Sequence, residues 1–379
     1  MIMLYSEKDI VRIAKRYKNN KRSYLIVNPF QAKHIPVKPK ISIEMMQSLG
    51  TKLQEKYPTT HLVVGFAETA TAIGSVVASC FDDCTYIQTT REILSDKCKC
   101  IFFEEEHSHA VEQKLCSDRL EEFLSATDTV LFVDDEISTG KTLINIVEKF
   151  ARSFPQIKKK RIVAASIVNR VSLENLSLLG ANNIICEALL NLDNKDYSEV
   201  ANSFDAYAPS ILSMPDIKGV RTDIMTADFL NPRVGVFFTQ YNQSCISMSS
   251  LFISKDTTME WDTKKILVLG TEECMYPALI LSEELEKRYS NADIFCHATT
   301  RSPIAVLEHE DYPIKNGYQI HSFYDDERIT YIYNIQQYDK VVVVSDTHSK
   351  IDESFKDVIS VFSSYGCDDF YLIRGAANV

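Results

Sequence analysis

Residues 130–142, with the sequence VLFVDDEISTGKT, constrain the fold of this chain more than any other segment. Val130 to Val133 form an apolar run with the length of a strand that is buried on both faces of a parallel sheet. Leu143 to Phe150 then carry the apolar spacing of a helix. The acidic and hydroxyl-rich residues between them are therefore expected at the carboxyl end of a strand, where open α/β sheets bind ligands.

The loop between this strand and this helix has the chemistry of a ribose phosphate site. Asp134 and Asp135 can accept hydrogen bonds from vicinal ribose hydroxyls. Five further residues offer N–H groups, hydroxyls and a helix N-terminus to a phosphate, namely Ser138, Thr139, Gly140, Lys141 and Thr142. A P-loop kinase is set aside, because the P-loop motif requires a glycine where Asp135 stands. The plainer alternative, a buried strand and an ordinary turn, leaves the two carboxylates unexplained.

This segment resembles the 5-phosphoribosyl-1-pyrophosphate (PRPP) binding motif of type I phosphoribosyltransferases. The resemblance implies a parallel sheet with helices on both faces, a pyrophosphate loop upstream and a mobile catalytic loop between the two. It also implies transfer of ribose 5-phosphate from PRPP to a heterocyclic acceptor with loss of pyrophosphate, or the reverse reaction. Mg²⁺ is expected to arrive on PRPP, without a direct protein ligand. Asp134 and Asp135 are expected to hold the ribose hydroxyls and to favour positive charge at C1.

A second strand, loop and helix pattern, HLVVGFAETATAIGSVVA, occupies residues 61–78. In the family this loop presents N–H groups to pyrophosphate, and the matching positions are Phe66, Ala67, Glu68, Thr69 and Ala70. Glu68 departs from the pattern, because a carboxylate beside pyrophosphate must turn away, bind Mg²⁺ or pair with a cation. Alternatively, Glu68 or Thr69 caps the following helix.

Three residues between these motifs are further catalytic candidates. Arg91 is the natural cation for pyrophosphate, with a surface salt bridge to Glu92 as the alternative. His107 and His109 lie on the segment that matches the mobile loop, where a histidine can donate a proton or bind pyrophosphate. The alternatives are a solvated turn or a Zn²⁺ site, and the second is weak because no further cluster with metal spacing appears.

Ser138 stands where the 6-oxopurine enzymes of the family place an aspartate, so the resemblance favours the orotate-like members. The segment 24–39, YLIVNPFQAKHIPVKP, occupies the place of the hood that grips the acceptor base. The candidate acceptor-binding residues in it are Phe30, Gln31, Lys33 and His34. An irregular extended segment pinned by its prolines is the alternative.

Composition indicates a cytoplasmic enzyme. A chain of 379 residues with 45% hydrophobic residues can bury two cores. Its net charge of −11, without a concentrated basic tract, argues against nucleic acid as a partner. No apolar run is long enough for a transmembrane helix, and the N-terminus does not resemble a signal peptide. The ten cysteines contain no CxxC pair, which predicts reduced thiols rather than a disulfide framework.

The second half of the chain repeats landmarks of the first. The strand that ends at Gly65 recurs at Gly270, the TTR sequence at Thr89 recurs at Thr299, and VLFVDD has a partner in VVVVSD, which ends at Asp346. We therefore predict an α/β fold with two doubly wound parallel-sheet domains, the first a type I phosphoribosyltransferase and the second a diverged copy. The alternative is that any two α/β domains share such spacing. Weakened apolar periodicity near residue 205 predicts domains over 1–205 and 206–379.

The TTRSPI sequence at residues 299–304 resembles the signature of the TRSP domain, which is fused behind phosphoribosyltransferases in tellurium-resistance-type bacterial operons. The resemblance implies a stress-response role and a nucleoside-like product. Residues predicted to form a second ligand pocket are Thr271, Glu272, Thr300, Arg301, Ser302 and His348, with Arg301 as the main anion contact. A scaffold that braces or dimerises the transferase is the alternative.

The sequence as a whole predicts a phosphoribosyltransferase whose partners are PRPP and a heterocyclic small molecule, with no nucleic acid and no membrane. A homodimer is expected because orotate-like relatives complete their sites across a dimer, where Arg91 could act. The alternative from another class is a PRPP- or nucleotide-sensing regulatory protein without catalysis. Glu68, and a mobile loop without an obvious catalytic lysine, favour that alternative.

Overall fold

A computed structural model of the chain describes residues 3–18, 22–94, 98–103, 113–212, 219–347 and 352–375. The α-helices are α1 (Glu7–Ile10), α2 (Pro39–Lys56), α3 (Thr71–Ala78), α4 (Leu120–Ser125), α5 (Lys141–Ser153), α6 (Leu173–Ala181), α7 (Ser198–Asn202), α8 (Phe238–Ile253), α9 (Tyr276–Arg288) and α10 (Asp352–Ser363). Strands of the first 205 residues are β1 (Arg12–Lys15), β2 (Tyr24–Val27), β3 (Thr60–Gly65), β4 (Thr85–Gln88), β5 (Cys100–Phe103), β6 (Gln113–Cys116), β7 (Thr129–Ile137), β8 (Arg161–Asn169) and β9 (Ile184–Asn191). The later strands are β10 (Ser210–Ile211), β11 (Arg221–Ala227), β12 (Val236–Phe237), β13 (Lys265–Gly270), β14 (Asp293–Ala298), β15 (Gly317–His321), β16 (Ile329–Tyr333), β17 (Lys340–Ser345) and β18 (Asp369–Gly375). No helix within the described ranges is long and apolar enough to cross a bilayer.

The chain forms two compact units, each built from three segments. The first unit takes Met1–Glu7, Ile43–Lys195 and Leu230–Asn242, and the second takes Lys8–Ser42, Asp196–Phe229 and Gln243–Val379. These units differ from the single division near residue 205 that the sequence suggested. Apolar periodicity shows where regular elements end, but it carries no information about which distant segments pack together.

The first unit is built on a six-stranded sheet with the order β12-β4-β3-β7-β8-β9. The strands from β4 to β9 in this order are parallel, and only the short β12 runs antiparallel to its neighbour β4. The residues Val130–Val133 of β7 are fully buried in the middle of the sheet, as their apolar character predicts. β5 and β6 form a separate antiparallel hairpin between β4 and β7 in the chain.

The second unit is built on a parallel five-stranded sheet with the order β11-β18-β17-β13-β14. Its two faces are both covered, because alternate residues of one strand enter different apolar cores. In β17, Val341 and Val343 join one core, while Val342 and Val344 join the other. This burial on both faces is the property of a doubly wound sheet, and it confirms the predicted α/β class. The hairpin β15–β16 lies between β14 and β17 in the chain.

The two parallel sheets have the same internal order. Reading from β4, the first unit has β4-β3-β7-β8-β9, and reading from β14, the second has β14-β13-β17-β18-β11. A hairpin is inserted at the same point of both, before the strand that carries the acidic motif or its counterpart. The edge strand differs in its chain position, since β9 follows β8, whereas β11 precedes β13. The strand orders therefore agree with the hypothesis of a diverged copy whose edge strand has been permuted.

Backbone hydrogen bonds at the carboxyl ends of the strands give the residue correspondence between the units. The matched bonds are Phe66 N to Val133 O (2.9 Å) and Thr271 N to Val344 O (3.2 Å), and Thr89 N to Gly65 O (2.9 Å) and Thr299 N to Gly270 O (2.9 Å). Val344 thus corresponds to Val133. It follows that Ser345 corresponds to Asp134 and Asp346 to Asp135, so only the second acid has a counterpart in the second unit.

The structure differs from the sequence analysis in the state of two cysteines. Cys100 and Cys116 face each other across the β5–β6 hairpin and form a disulfide with a Cα–Cα distance of 4.0 Å. The prediction of reduced thiols rested on composition and on the absence of a CxxC pair. Two residues that are 16 positions apart become neighbours only when the hairpin folds, so a scan for short spacings cannot detect them.

A buried histidine gives the second unit a pH dependence. The Nε2 of His297, on β14, lies 2.8 Å from the backbone oxygen of Tyr333, and the side chain is almost completely enclosed. Burial lowers the pKa of His297 to about 4. Between its ordinary pKa of about 6.5 and pH 4, the unfolded chain binds a proton that the folded chain does not, so acid favours unfolding.

We expect protonation of His297 to lower the free energy of unfolding by about 2–3 kcal/mol when the pH falls from 7 to 4.5. Denaturant unfolding of the wild type and of His297→Gln at both pH values measures this contribution. The variant should lose less stability than the wild type over the interval. Equal losses in both proteins would show that His297 does not carry the effect.

Candidate active site

The two acids of the PRPP motif lie at the end of β7, where the sheet of the first unit opens. Asp134 and Asp135 are half-buried, in contrast to the fully enclosed Val130–Val133 before them. The backbone N–H of Asp135 donates to Asp134 Oδ1 at 2.9 Å, which orients the first carboxylate. Both acids therefore sit at the carboxyl edge of a parallel sheet, the position at which this class of fold binds ligands.

The predicted phosphate loop joins β7 to the N-terminus of α5. Ser138 and Thr139 are half-buried, and the Lys141 N–H lies 3.4 Å from Thr139 Oγ1. Gly140 has φ = 76°, a left-handed conformation that strongly favours glycine. A Cβ at Gly140 would also lie 2.6 Å from Leu179 Cδ1. The glycine is thus required for the turn that aims the positive end of the α5 dipole at the loop.

The predicted pyrophosphate loop follows β3, and a side-chain hydrogen bond joins it to the acidic motif. Thr69 Oγ1 donates to Asp135 Oδ1 at 2.8 Å. This bond brings together two motifs that are 66 residues apart in the chain. The alternative that Thr69 or Glu68 caps α3 is wrong, because the N-cap residue of α3 is Ala70, which makes no side-chain cap hydrogen bond. The Ala67–Glu68 peptide in this loop is cis.

Three of the five amides predicted to face pyrophosphate donate to acceptors within the protein. Phe66 N donates to Val133 O at 2.9 Å, and Ala70 N donates to Phe66 O at 3.0 Å. Ala67 N donates to Thr89 Oγ1 at 2.8 Å. The loop is therefore held in place by its own N–H groups, which is a different use of these three amides from the one that the family resemblance implied.

Thr89 and Gln113 brace the pyrophosphate loop, and the sequence analysis assigned a role to neither. Gln113 Nε2 donates to Ala67 O at 2.7 Å, and Gln113 Oε1 accepts from Thr89 Oγ1 at 2.7 Å. Thr89 in turn accepts from Ala67 N, so the backbone of Ala67 is fixed on both sides. The repeated TTR sequence was a signal for Thr89, since Thr299 Oγ1 accepts from Glu272 N in the same way at 2.9 Å. Gln113 carried no sequence signal.

We expect Gln113→Ala to destabilise the fold by about 1–3 kcal/mol, because Ala67 O and the Thr89 hydroxyl lose a buried partner. A displaced loop should also weaken PRPP binding by about tenfold, which corresponds to about 1.4 kcal/mol. Denaturant unfolding and calorimetric titration with PRPP measure the two effects. Lys114→Gln is the control, since neighbouring residues of a strand point to opposite faces. Unchanged PRPP affinity in the Gln113 variant would contradict the bracing role.

The third acid of the DDE sequence belongs to a structural ion pair. Glu136 Oε1 accepts from Arg170 Nε at 2.5 Å, and both side chains are largely buried. Arg170 Nη1 also donates to the backbone oxygen of Lys195 at 2.8 Å. The last of the three consecutive acids is thus paired with a cation of the protein.

The structure says less about the other predicted catalytic residues, Arg91, His107 and His109. Arg91 follows β4 and is half-exposed, and the N–H of the next residue, Glu92, donates to Thr90 Oγ1 at 2.9 Å. His107 and His109 lie outside the described residues. The structure thus puts Arg91 after the end of a strand that pairs with β3, and the pyrophosphate role of Arg91 stays a prediction.

The predicted acceptor-binding residues of the hood belong to the second unit. Lys33 is fully buried, and its Nζ donates to the backbone oxygens of Glu272 (2.8 Å) and Thr299 (2.9 Å). Gln31 and His34 are also buried, and the backbone oxygen of His34 accepts from Asn334 Nδ2 at 2.9 Å. A buried ammonium needs such partners, so these contacts give Lys33 a structural role. The sequence analysis predicted acceptor binding by these residues, because residue type alone does not reveal their burial.

Part of the predicted second pocket is brought together in the second unit. Glu272, Arg301 and the residues around them form a buried polar cluster, in which Glu272 Oε2 lies 2.7 Å from Arg301 Nε and 3.0 Å from Arg328 Nη2. Glu273 Oε1 is 3.2 Å from Arg301 Nη2. Arg301, which was expected to bind a ligand anion, is thus neutralised by carboxylates of the protein.

The other predicted members of the second pocket have backbone and hydroxyl partners. Thr271 Oγ1 donates to Ser345 Oγ at 2.9 Å, and Thr300 Oγ1 accepts from the Ser302 N–H at 3.1 Å. His348 lies outside the described residues. Among the described residues of this unit, Lys33 and Glu272 lie at the carboxyl ends of β13 and β14, where they contact other groups of the protein.

Comparison with known proteins identifies two segments of the chain. Residues 10–183 match a family model described as phosphoribosyl transferase (PRTase_2), and residues 238–362 match one described as a TRSP domain C-terminal to PRTase_2. No curated protein sequence is detectably similar to the chain.

Solved phosphoribosyltransferase structures resemble the chain weakly. APRTase from Giardia lamblia, complexed with 9-deazaadenine, has 13% sequence identity and a TM-score of 0.37, with 48% of this chain and 93% of that chain covered. Adenine phosphoribosyltransferase from Saccharomyces cerevisiae has 15% identity and a TM-score of 0.33, with 48% and 96% covered. By sequence, the chain is thus similar to the phosphoribosyl transferase family PRTase_2 over residues 10–183, and to the TRSP domain that follows such transferases over residues 238–362.

Proposed function

We propose that the first unit transfers ribose 5-phosphate from PRPP to a heterocyclic acceptor and releases pyrophosphate, or catalyses the reverse reaction. The observation that carries this proposal is the Thr69–Asp135 hydrogen bond of 2.8 Å. It joins the pyrophosphate loop to the acids that precede the phosphate loop, so one substrate with a phosphate at each end of a ribose can engage all three parts.

Charge stabilisation is the main chemical task in such a transfer. The C1–O bond to pyrophosphate breaks with its electron pair leaving on pyrophosphate, the acceptor lone pair forms the new bond to C1, and the acceptor proton passes to solvent. Positive charge develops at C1 as the first bond breaks. Asp134 and Asp135, held at the ribose, would stabilise that charge in a site partly withdrawn from water.

The loop and the helix after β7 would fix the other end of the substrate. The half-buried hydroxyls of Ser138 and Thr139 and the N-terminus of α5 provide donors for a 5-phosphate. Arg91 would meet the negative charge of departing pyrophosphate. Holding both ends in place converts the encounter with the acceptor into an oriented reaction, which lowers the entropic part of the barrier.

The residues at the site also fit a magnesium ion delivered by PRPP. The donor groups are carboxylate and hydroxyl oxygens, including Asp134, Asp135 and Thr69, and no described sulfur or imidazole group accompanies them in the contacts above. Such oxygen donors suit Mg²⁺, which keeps several of its waters. When bound, the ion would offset negative charge on the pyrophosphate.

Ser138 narrows the acceptor class. Its short hydroxyl side chain replaces the aspartate that the sequence resemblance associates with 6-oxopurines, so we propose an orotate-like or other non-6-oxopurine base as acceptor. The test is pyrophosphate release from Mg²⁺-PRPP in the presence of orotate, uracil, nicotinate, adenine and hypoxanthine, each added separately. Release with a base other than hypoxanthine is expected. Turnover with hypoxanthine alone would contradict the acceptor class, and PRPP binding without turnover for every base would favour the sensing alternative.

A further inference from the structure

Three cysteines form a sulfur cluster at the base of the β5–β6 hairpin. Cys100 is the first residue of β5 and Cys116 the last of β6, so they are paired in the hairpin register. Cys98 precedes β5 by two residues. The three Sγ atoms all lie within 4.8 Å of one another. We call these residues the thiol cluster.

The thiol cluster has the size of a metal site. In tetrahedral zinc sites the Zn–S distance is about 2.3 Å, so two coordinating sulfurs are separated by roughly 3.8 Å. Sulfurs within 4.8 Å can reach that separation by small side-chain rotations. Within the described ranges of the chain, no other group of three histidine, cysteine or acidic residues with this proximity is found.

The chemical state of the cluster controls how many sulfurs can bind a cation. With the Cys100–Cys116 disulfide closed, only Cys98 retains a thiol. A small dithiol reductant supplies two electrons and two protons, becomes a disulfide itself and leaves thiols at both positions. Thiolates are the ligands that select soft cations, and a bound cation replaces the thiol protons, which pass to solvent.

We propose that Cys98, Cys100 and Cys116 bind one divalent cation of the zinc class when the hairpin is reduced, and that the disulfide form does not bind it. The fourth coordination position is left to water, as in zinc sites with three protein ligands. Either linkage joins the start of β5 to the end of β6. The hairpin would thus be held by a disulfide under oxidising conditions and by a metal under reducing conditions.

The thiol cluster lies in the same hairpin as Gln113, so a linkage between its cysteines would also stabilise the position of Gln113. β6 begins at Gln113, whose side chain fixes the backbone of Ala67, and ends at Cys116. Cys116 is fully buried, whereas Cys98 and Cys100 are half-buried, so a cation can reach the cluster from the side of the first two cysteines. The metal site does not depend on the proposed transferase activity, because none of its ligands belongs to the candidate active site.

The test is titration of the reduced full-length protein with Cd²⁺, followed by the thiolate-to-metal charge-transfer absorption, with Zn²⁺ added afterwards in competition. One Cd²⁺ per chain is expected, and Zn²⁺ should displace it. Cys98→Ser and Cys116→Ser should each weaken Cd²⁺ binding by at least about 100-fold, since even partners outside the ligand shell contribute 10–100-fold. Cys186→Ser, a half-buried cysteine outside the cluster, is the matched control and should bind as the wild type does.

A second measurement separates loss of the site from loss of the fold. Zn²⁺ should protect the two accessible cysteines of the cluster, Cys98 and Cys100, from alkylation in the folded, reduced wild type, as identified by mass spectrometry. Thermal unfolding should show that each variant is folded. Unreduced protein should show no charge-transfer band. The proposal is overturned if the reduced protein binds no Cd²⁺, if folded Cys98→Ser binds it unchanged, or if the disulfide form binds it equally well.

Discussion

Replacing Asp134 and Asp135 by asparagine together should lower the rate of pyrophosphate release by a factor on the order of 10²–10³, the size of effect found when one preorganised electrostatic group is removed from an active site. The two carboxylates lie half-buried at the end of β7, where they face the ribose in the proposed complex. Asparagine keeps their shape but removes the charge that would stabilise C1. The measurement is steady-state pyrophosphate release with the acceptor that gives turnover.

Asp128→Asn is the matched control for this double variant. Asp128 immediately precedes β7 at the opposite end of the same strand and is exposed to solvent. Its replacement should leave turnover unchanged, and thermal unfolding should show that both proteins are folded. Full activity of a folded Asp134→Asn, Asp135→Asn variant would contradict the roles assigned to these acids.

Glu272→Gln should destabilise the second unit by about 3–5 kcal/mol, because removing one partner of a buried ion pair leaves the opposite charge uncompensated. The Glu272 carboxylate is fully buried, contacts two arginines and accepts from Ser322 Oγ at 2.5 Å. Arg301 keeps Glu273 as a partner, whereas Arg328 loses its ion pair with Glu272. Denaturant unfolding of the variant at pH 7 measures the loss.

The control for Glu272→Gln is Glu353→Gln in α10. Glu353 also contacts a basic side chain, Lys356 Nζ at 2.8 Å, but this pair lies on the surface. Its neutralisation should have no measurable effect on unfolding, since solvent screens an exposed pair. If the two substitutions lowered the free energy of unfolding equally, burial of the Glu272 ion pairs would not be the cause of the loss of stability.

The sequence was sufficient to predict the strand, loop and helix units of the first sheet. A run of four apolar residues in β7, followed by charged and hydroxyl side chains, identifies the buried strand and the point at which its burial decreases. The same pattern around β3 identifies a second buried strand, whose following loop keeps its predicted role in pyrophosphate binding as a prediction. Such predictions succeed because burial on both faces of a parallel sheet demands continuous apolar strands, while the turns at their ends cannot be apolar.

The sequence did not predict which distant segments of the chain pack together. The hood residues were predicted to bind the acceptor because their segment occupies the place of the family's hood, and Lys33 lies inside the second compact unit, where it donates to the backbone oxygens of Glu272 and Thr299. A lysine in a polar segment is normally exposed. The neighbouring sequence does not show that two carbonyl oxygens from distant segments will accept hydrogen bonds from its ammonium group. Gln113 and the Cys100–Cys116 disulfide were missed for the same reason. The partners of Gln113 lie in other segments of the chain, and the two cysteines meet only when the hairpin folds.

The correspondence between the two units also clarifies what the second one has changed. Asp346 occupies the place of Asp135, but Ser345 replaces the first acid. At the place of Ala67 stands Glu272, whose carboxylate binds arginines of the protein. A buried internal anion thus lies in the second unit at the strand end that, in the first, begins the pyrophosphate loop. The two units thus share backbone hydrogen bonds at these strand ends but differ in the side chains placed there.

Calorimetric titration with PRPP in excess Mg²⁺ tests the central claim most directly, because it measures binding at the β7 site without knowledge of the acceptor. The account predicts one PRPP bound per wild-type chain and loss of that binding in the folded Asp134→Asn, Asp135→Asn variant, with Asp128→Asn binding normally. Absence of binding to the wild type, or equal binding by the double variant, would contradict the assignment of a PRPP site to the end of β7.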